Sequence, residues 1–108
     1  MSKIPHVTAE TFQQEVLEAE QPVLVDFTAV WCGPCKMLEP VVEELAEEWK
    51  EQVKVVKLDV DHNQQIAMNY HVLGVPTLIL FKNGQPAERL TGYRPKKHLV
   101  KKLSPHLA

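Results

Sequence analysis

Two cysteines, Cys32 and Cys35, are the only thiols in this 108-residue chain. A tetrahedral zinc site takes four ligands, usually as two close pairs, and a second cysteine pair is missing. Histidine does not fill the gap. His62 and His71 lie outside the spacing of a zinc finger's second half, and His6, His98 and His106 are scattered and read as surface residues. The chain also lacks any apolar run of signal-peptide or bilayer-spanning length, and the opening MSKIPHVTAE is mixed throughout. Charge of one sign is scarce: the net charge is −2, which offers nothing to a nucleic acid or an anionic membrane. Lys96, Lys97, Lys101 and Lys102 do cluster near the end, at the spacing of a solvated helix face. Repeats, low-complexity tracts and linkers are absent as well. What remains is a single domain over residues 1–108, 44% apolar and large enough for a core without staples. The expected location is cytoplasmic. Thiols there are mostly kept reduced, so a close cysteine pair points to catalysis or metal binding ahead of a structural disulfide.

Strand-like and helix-like segments alternate. Thr8 can cap a helix running to about Glu18, with Phe12, Val16 and Leu17 as its buried stripe. Pro22 to Thr28, PVLVDFT, is a β-rich run of the kind covered on both faces. From about Pro34 to Trp49, apolar residues recur at helical spacing opposite Glu39, Glu43, Glu44, Glu47 and Glu48. Pro40 inside that helix removes one backbone donor and should kink it. Val53 to Val60 is the next strand. Asp61 and Gln64 have capping-box spacing for a short helix to about Tyr70. Thr77–Lys82 and Ala87–Tyr93 flank Asn83-Gly84, a strong hairpin signal. Pro95 suits the first turn of a last helix carrying Leu99, Val100, Leu103 and Leu107. The order reads β-α-β-α-β-α-β-β-α. Helices between strands imply parallel pairing, and the final hairpin implies an antiparallel edge.

The cysteine pair sits where a buried strand hands over to a helix, which favours redox chemistry over a metal. Cys32 falls at the helix N-terminus, where unpaired amides and the helix dipole stabilise an anion. A free thiol has a pKa of about 8.5, and such a site lowers it. Cys35 lies one turn further in and is expected to be less exposed, within reach of Cys32. Cys32 can attack a partner's disulfide, and Cys35 can then attack the mixed disulfide. Gly33-Pro34 between them carries no charge to stabilise the Cys32 thiolate further, which favours a reductant over an oxidant. Asp26, inside an apolar strand, either faces the surface or is buried for a reason, since burial penalises its charged form.

Over nearly its whole length the chain resembles the thioredoxin family. The resemblance rests on Trp31-Cys32-Gly33-Pro34-Cys35, on Asp26 in VLVDF, on Pro40, on Lys57 in VKLDVD, on Gly74-Val75-Pro76-Thr77, and on Gly84 and Gly92. It implies an α/β thioredoxin fold, with a central five-stranded mixed β-sheet flanked by four α-helices and a cis Val75–Pro76 bond facing the cysteines. It implies further that Trp31, Gly33, Pro34, Val75, Pro76 and Gly92 border an apolar surface, where the Val75 backbone pairs with a substrate's extended chain. Asp26 is then a buried proton acceptor for Cys35, through water, and Lys57 its electrostatic partner.

The activity implied is general protein-disulfide reduction by a monomer, with Cys32 as nucleophile and Cys35 as resolving thiol. No bound cofactor or metal is implied. Electrons are expected from NADPH through a flavin-containing thioredoxin reductase, and targets include ribonucleotide reductase and peroxiredoxins. A thiol oxidase or isomerase of the same fold and a non-catalytic binding module are the alternatives. Gly33-Pro34 argues against the first and the intact Cys32, Cys35 and Pro76 against the second. Four residues depart from the family pattern. Thr28 replaces a common tryptophan, so packing beside the cysteines must differ; Val30 is apolar where a charged or small residue is common, Leu73 extends the apolar rim before Gly74, and Tyr93 stands where a small residue is frequent.

Overall fold

The middle of the sheet is built from strands with no polar face. The computed structural model describes residues 3–107. In it β1 (Val23–Thr28), β2 (Lys54–Asp59), β3 (Thr77–Lys82) and β4 (Gln85–Thr91) form one mixed sheet in the order β2-β1-β3-β4. β1 runs parallel to β2 and antiparallel to β3, and β4 closes the far edge antiparallel to β3. The parallel pair needs a crossover, and α1 (Gly33–Glu48) supplies it. Side chains alternate across each strand, so the sheet has two distinct faces. Leu24, Val55, Leu78 and Leu80 meet Leu38, Val42 and Leu45 of α1 and Leu99 and Leu103 of α3 (Lys96–Leu103). Val23, Val25, Phe27, Val56, Leu58, Ile79 and Phe81 pack on the other face, with Phe12, Val16 and part of α2 (Gln64–Asn69). Phe12, Tyr70 and Phe81 form a three-ring cluster there, with centroids 5.1–5.7 Å apart.

The sheet has four strands where five were expected. The missing first strand is reduced to a single parallel bridge between His6 and Lys57. Lys57 donates its N–H to the Pro5 carbonyl, and its own carbonyl accepts from Val7. Pro5 has no N–H to extend the ladder. The chain also turns immediately afterwards, as the Thr8 carbonyl accepts from Thr11 and Phe12. The helix expected from Thr8 to Glu18 is a five-residue π-helical turn, Gln13–Leu17, closed by the Glu18 N–H on the Gln13 carbonyl. The flanking α-helices therefore number three among the described residues, with a 3₁₀ turn at Ser104–His106 after the last.

The capping box is not formed. Asn63 is the N-cap of α2, the Asp61 carboxylate is taken by the Trp31 indole, and Gln64 reaches only the Asp61 carbonyl. Lys96 is not simply solvated either, because it ties α3 to Glu44 and Glu48 of α1. Pro40 does lie inside α1, and Pro86 lies in the edge strand β4, where a missing donor is tolerated.

The hairpin forms as its sequence signal indicates. Asn83 and Gly84 both have positive φ, 54° and 78°, as a two-residue type I′ turn requires. β4 consequently starts at Gln85, two residues earlier than expected, and ends before Gly92 at φ 87°. A Cβ on Gly84 would stand 2.9 Å from the Leu17 carbonyl oxygen. Gly84→Ala should therefore destabilise the fold by about 1–3 kcal/mol in urea melts. Gly74→Ala, with nothing within 4 Å of the added carbon, should cost much less; equal losses would remove the turn geometry as the cause.

Candidate active site

β1 ends at Thr28, and after three intervening residues Cys32 is the N-cap of α1. Pro34 in the first turn carries no N–H to leave unsatisfied. The Cys35 N–H donates to Cys32 Sγ at 3.1 Å, so the cysteine does the work of a capping side chain. No acidic residue lies in the first turn of α1 to oppose a negative charge on that sulfur. The two cysteines are joined as a disulfide with Cα atoms 5.3 Å apart. In this form they are equally covered, Cys32 3% and Cys35 4% exposed. The expected contrast in exposure is thus absent, because Ala29, Val60 and Val75 pack around both. The sulfurs differ instead in what surrounds them.

Cys32 Sγ lies 3.7 Å from the Val75 carbonyl oxygen. The Val75–Pro76 bond is cis, and the Gly92 N–H donates to the Pro76 carbonyl at 2.8 Å, bringing Gly92 to the same rim. Trp31 is 68% exposed, and its indole N–H donates to Asp61 at 2.8 Å, which fixes the ring beside the cysteines. Gly33 and Pro34 are exposed between the cysteines. Val30, Leu73 and Tyr93 are exposed apolar residues as well, Leu73 at 96%. Asp61 was not foreseen as the anchor for Trp31.

On the inner side, strand alternation sends Asp26 to the same face as Leu24, under α1. It is 3% exposed, and its Oδ1 has no hydrogen-bond partner among the described residues. A cavity of about 250 Å³ is lined by Asp26, Thr28, Cys35, Glu39 and Lys57, among others. Thr28 is part of that lining, at the position where the packing was expected to differ. Lys57 stands in register beside Asp26 across the parallel pair. Its ammonium, however, is ion-paired to Glu39, so its electrostatic link to Asp26 acts without a direct salt bridge among the described residues. Burial pushes the Asp26 carboxyl from 3.8 up to about 7; the Lys57 charge opposes the rise and the Glu39 charge adds to it.

The sequence pattern puts Glu39 on the side of α1 opposite its apolar stripe. The structure places it half-buried at the cavity, and two signals could have found it: it lies four residues after Cys35, and Lys57 stands opposite Asp26. Among the described residues, no group of three or more His, Cys, Asp or Glu is placed to hold a metal ion. No described helix is long and apolar enough to cross a membrane.

Known proteins bear on the same arrangement. A family model described as Thioredoxin matches residues 3–105. A protein named Thioredoxin 1, from Nostoc sp., is 48% identical over 107 residues, covering 99% of this chain and 100% of the relative. One named Thioredoxin, from Mycobacterium bovis, is 52% identical over 98 residues, 91% of this chain and 84% of the relative. Another, from Mycobacterium leprae, is named Bifunctional thioredoxin reductase/thioredoxin and is 50% identical over 98 residues, 91% of this chain and 21% of that protein.

The raised Asp26 carboxyl sets a pH-dependent penalty on folding. Below the unfolded value near 3.8 the group is protonated in both states and costs nothing. As pH rises towards 7 the unfolded chain ionises first, and stability is lost across that window. Asp26→Ala should therefore leave stability near pH 4 almost unchanged or slightly lower. At pH 8 it should raise stability by up to about 4 kcal/mol. Denaturant melts at the two pH values read the difference, and a gain independent of pH would show that the carboxyl's charge is not its source.

Proposed function

The chain belongs to the thioredoxin family, and from that premise we propose how its residues divide the work of reducing disulfides. It is a protein-disulfide oxidoreductase that acts by thiol–disulfide exchange through the Cys32–Cys35 pair. The whole of residues 1–108 acts as one domain. In the reduced protein, Cys32 is the thiolate. The Cys35 N–H and the N-terminus of α1 favour its negative charge. It attacks one sulfur of a partner's disulfide, forming a mixed disulfide and releasing the partner's other sulfur as a thiolate, which takes up a proton.

Cys35 must then lose its own proton to become nucleophilic. Asp26 takes that proton through water in the cavity that the two groups share, and Lys57 tunes the carboxylate. A group with a pKa near the working pH serves well in both directions of such a transfer. The Cys35 thiolate attacks Cys32 Sγ and expels the second partner thiolate, which is protonated in turn. Two electrons pass to the partner, and the protein is left in the closed disulfide form. The two sulfurs are the redox centre, so the reaction uses no bound cofactor.

Trp31, Gly33, Pro34, Val75, Pro76 and Gly92 form the surface that receives the partner's extended chain, with the Val75 backbone beside Cys32 pairing with it. Re-reduction comes from NADPH through a flavin-containing thioredoxin reductase. The M. leprae relative, whose name joins both activities, supports that pairing. Ribonucleotide reductase and peroxiredoxins are the proposed targets, and the protein works as a cytoplasmic monomer. The observation that carries the assignment of roles is Cys32 as the N-cap of α1, with Cys35 and Asp26 lining one cavity behind it.

Insulin-disulfide reduction with dithiothreitol should depend on both cysteines. Resolution is intramolecular, so the mixed disulfide is short-lived in the native protein. Cys35→Ser keeps the shape but cannot resolve it, and should accumulate covalent complexes from a cell extract on non-reducing gels. Cys32→Ser should trap few. Comparable trapping by the two variants would overturn the assigned roles.

A further inference from the structure

Polar and ionisable side chains from three segments line the cavity in front of Asp26. β2 contributes Lys57 and Asp59, α1 contributes Lys36 and Glu39, and His6 comes from the segment bridged to β2. The Cys35 sulfur, whose proton is at issue, lines it too. Lys57 is 8% exposed, and its ammonium is committed to Glu39, the carboxylate one helical turn beyond Cys35. Among the described residues no ion pair joins Lys57 to Asp26, and Asp26 Oδ1 is buried without a hydrogen-bond partner. A lysine ammonium has three donors on a flexible stem, so nothing in Lys57 itself prevents it from closing onto that oxygen. What holds it elsewhere is Glu39.

Resting on the assignment of Asp26 as proton acceptor, we propose that Glu39 is a positioning residue of the exchange reaction. It holds the Lys57 ammonium against α1, so that Asp26 is not locked in an ion pair and stays free to take up and release the proton of Cys35.

The physical case follows from what happens without Glu39. Lys57 would remain a buried cation with its counter-ion gone, and a lone buried charge is costly. Asp26 is the carboxylate in register with it, so Lys57 turns there. A directly paired carboxylate is held in its ionised form and makes a poor proton acceptor. Glu39 also contributes a like charge, which disfavours ionisation of Asp26. Both effects act in the same sense. The spacing makes this economical, since Cys35 and Glu39 are four residues apart on α1 and reach the same cavity. The thiol that needs a base and the carboxylate that keeps the base available therefore arrive on one helix.

The test is the titration of the Asp26 carboxyl, followed by carbon-13 NMR in the full-length reduced and oxidised protein. In Glu39→Gln its midpoint should fall by about one pH unit, and the pH profile of insulin reduction should move the same way, with the rate at pH 7 several-fold lower. Glu39→Asp, which retains the charge, should recover most of the shift. Glu39→Ala serves as a second variant, as the position is half-buried on a helix. Lys57→Met separates positioning from simple repulsion. With the cation gone, adding Glu39→Gln should move the midpoint by less than half as much as in the native background. An unmoved midpoint in Glu39→Gln and Glu39→Ala, or an equal shift with and without Lys57, overturns the placement of Lys57 by Glu39 and leaves the role of Asp26 standing. A native exchange rate in Asp26→Asn overturns the proton role itself, and with it the catalytic half of the proposal.

Discussion

A carboxyl group on an inner strand of a sheet covered on both faces must be buried on one side or the other. Here it points under α1, and much of the molecule is arranged by that fact. Asp26 shares a face with Leu24 and alternates with Val25 and Phe27, so it cannot leave the α1 face without moving those two out of the opposite core. The parallel pairing of β1 with β2 then places Lys57 beside it. A lysine buried in turn needs a carboxylate close by, and Glu39 of α1 provides one. Three ionisable groups from three elements thus follow from one register. The charges are unequal in role: Lys57 and Glu39 compensate each other, and among the described residues Asp26 is left with an unpartnered oxygen at a cavity.

The two faces of the sheet divide stability from chemistry. The face that packs on Phe12, Val16 and the Phe12–Tyr70–Phe81 rings is a core of apolar residues. Such a surface contributes roughly 25 cal/mol for each square ångström removed from water, and it anchors β1 and β3 regardless of what happens opposite. The α1 face is apolar only in its lower part, where Leu38, Val42 and Leu45 meet Leu78, Leu80, Leu99 and Leu103. Towards the N-terminus of α1 it gives way to Asp26, Lys57 and Cys35. A domain has only about 5–15 kcal/mol of net stability. An ionisation penalty of a few kcal/mol at Asp26 is therefore tolerable only because the other face carries none. The cysteines sit at the same end because a helix begins there. Helix termini are the places where the backbone can still donate to a sulfur anion.

What was legible in the sequence was whatever depends on local pattern or on a short motif. Asn83-Gly84 implied a hairpin and formed one, because the turn's positive φ angles are a property of those two residues. The stripe through Leu38, Val42 and Leu45 implied α1, and the closing hairpin implied the antiparallel edge. Most of the features that local pattern hides arise from competition between distant groups, and one from a local interruption. Asp61 had the spacing to cap α2 but is claimed by the Trp31 indole, thirty residues away. The first strand was cut to a single bridge by Pro5 and by the turn at Thr8. Glu39 read as one of five glutamates opposite the apolar stripe of α1, since helical periodicity cannot show that a lysine on β2 lies within reach. Lys96 was misread for the same reason, its partners being on another helix.

The closed disulfide also accounts for an asymmetry that exposure does not explain. Cys32 and Cys35 are equally covered, yet among the described residues only Cys32 has a backbone donor aimed at its sulfur. In the proposed mechanism that hydrogen bond and the helix terminus favour charge on Cys32, so the first attack uses no base nearby. Cys35 lies one turn inside the helix, beyond the strongest part of that field. On the roles proposed above, resolution by Cys35 waits for a proton acceptor. The acceptor must be close and able both to take up and to release a proton near neutral pH. Asp26 is the proposed acceptor because burial pushes its carboxyl up to about 7 and because its cavity is shared with Cys35. On that proposal, nucleophilicity and proton transfer have separate physical sources, the end of a helix for one sulfur and an inner strand of the sheet for the other. The turn Gly33-Pro34 is short enough to let them work on the same bond.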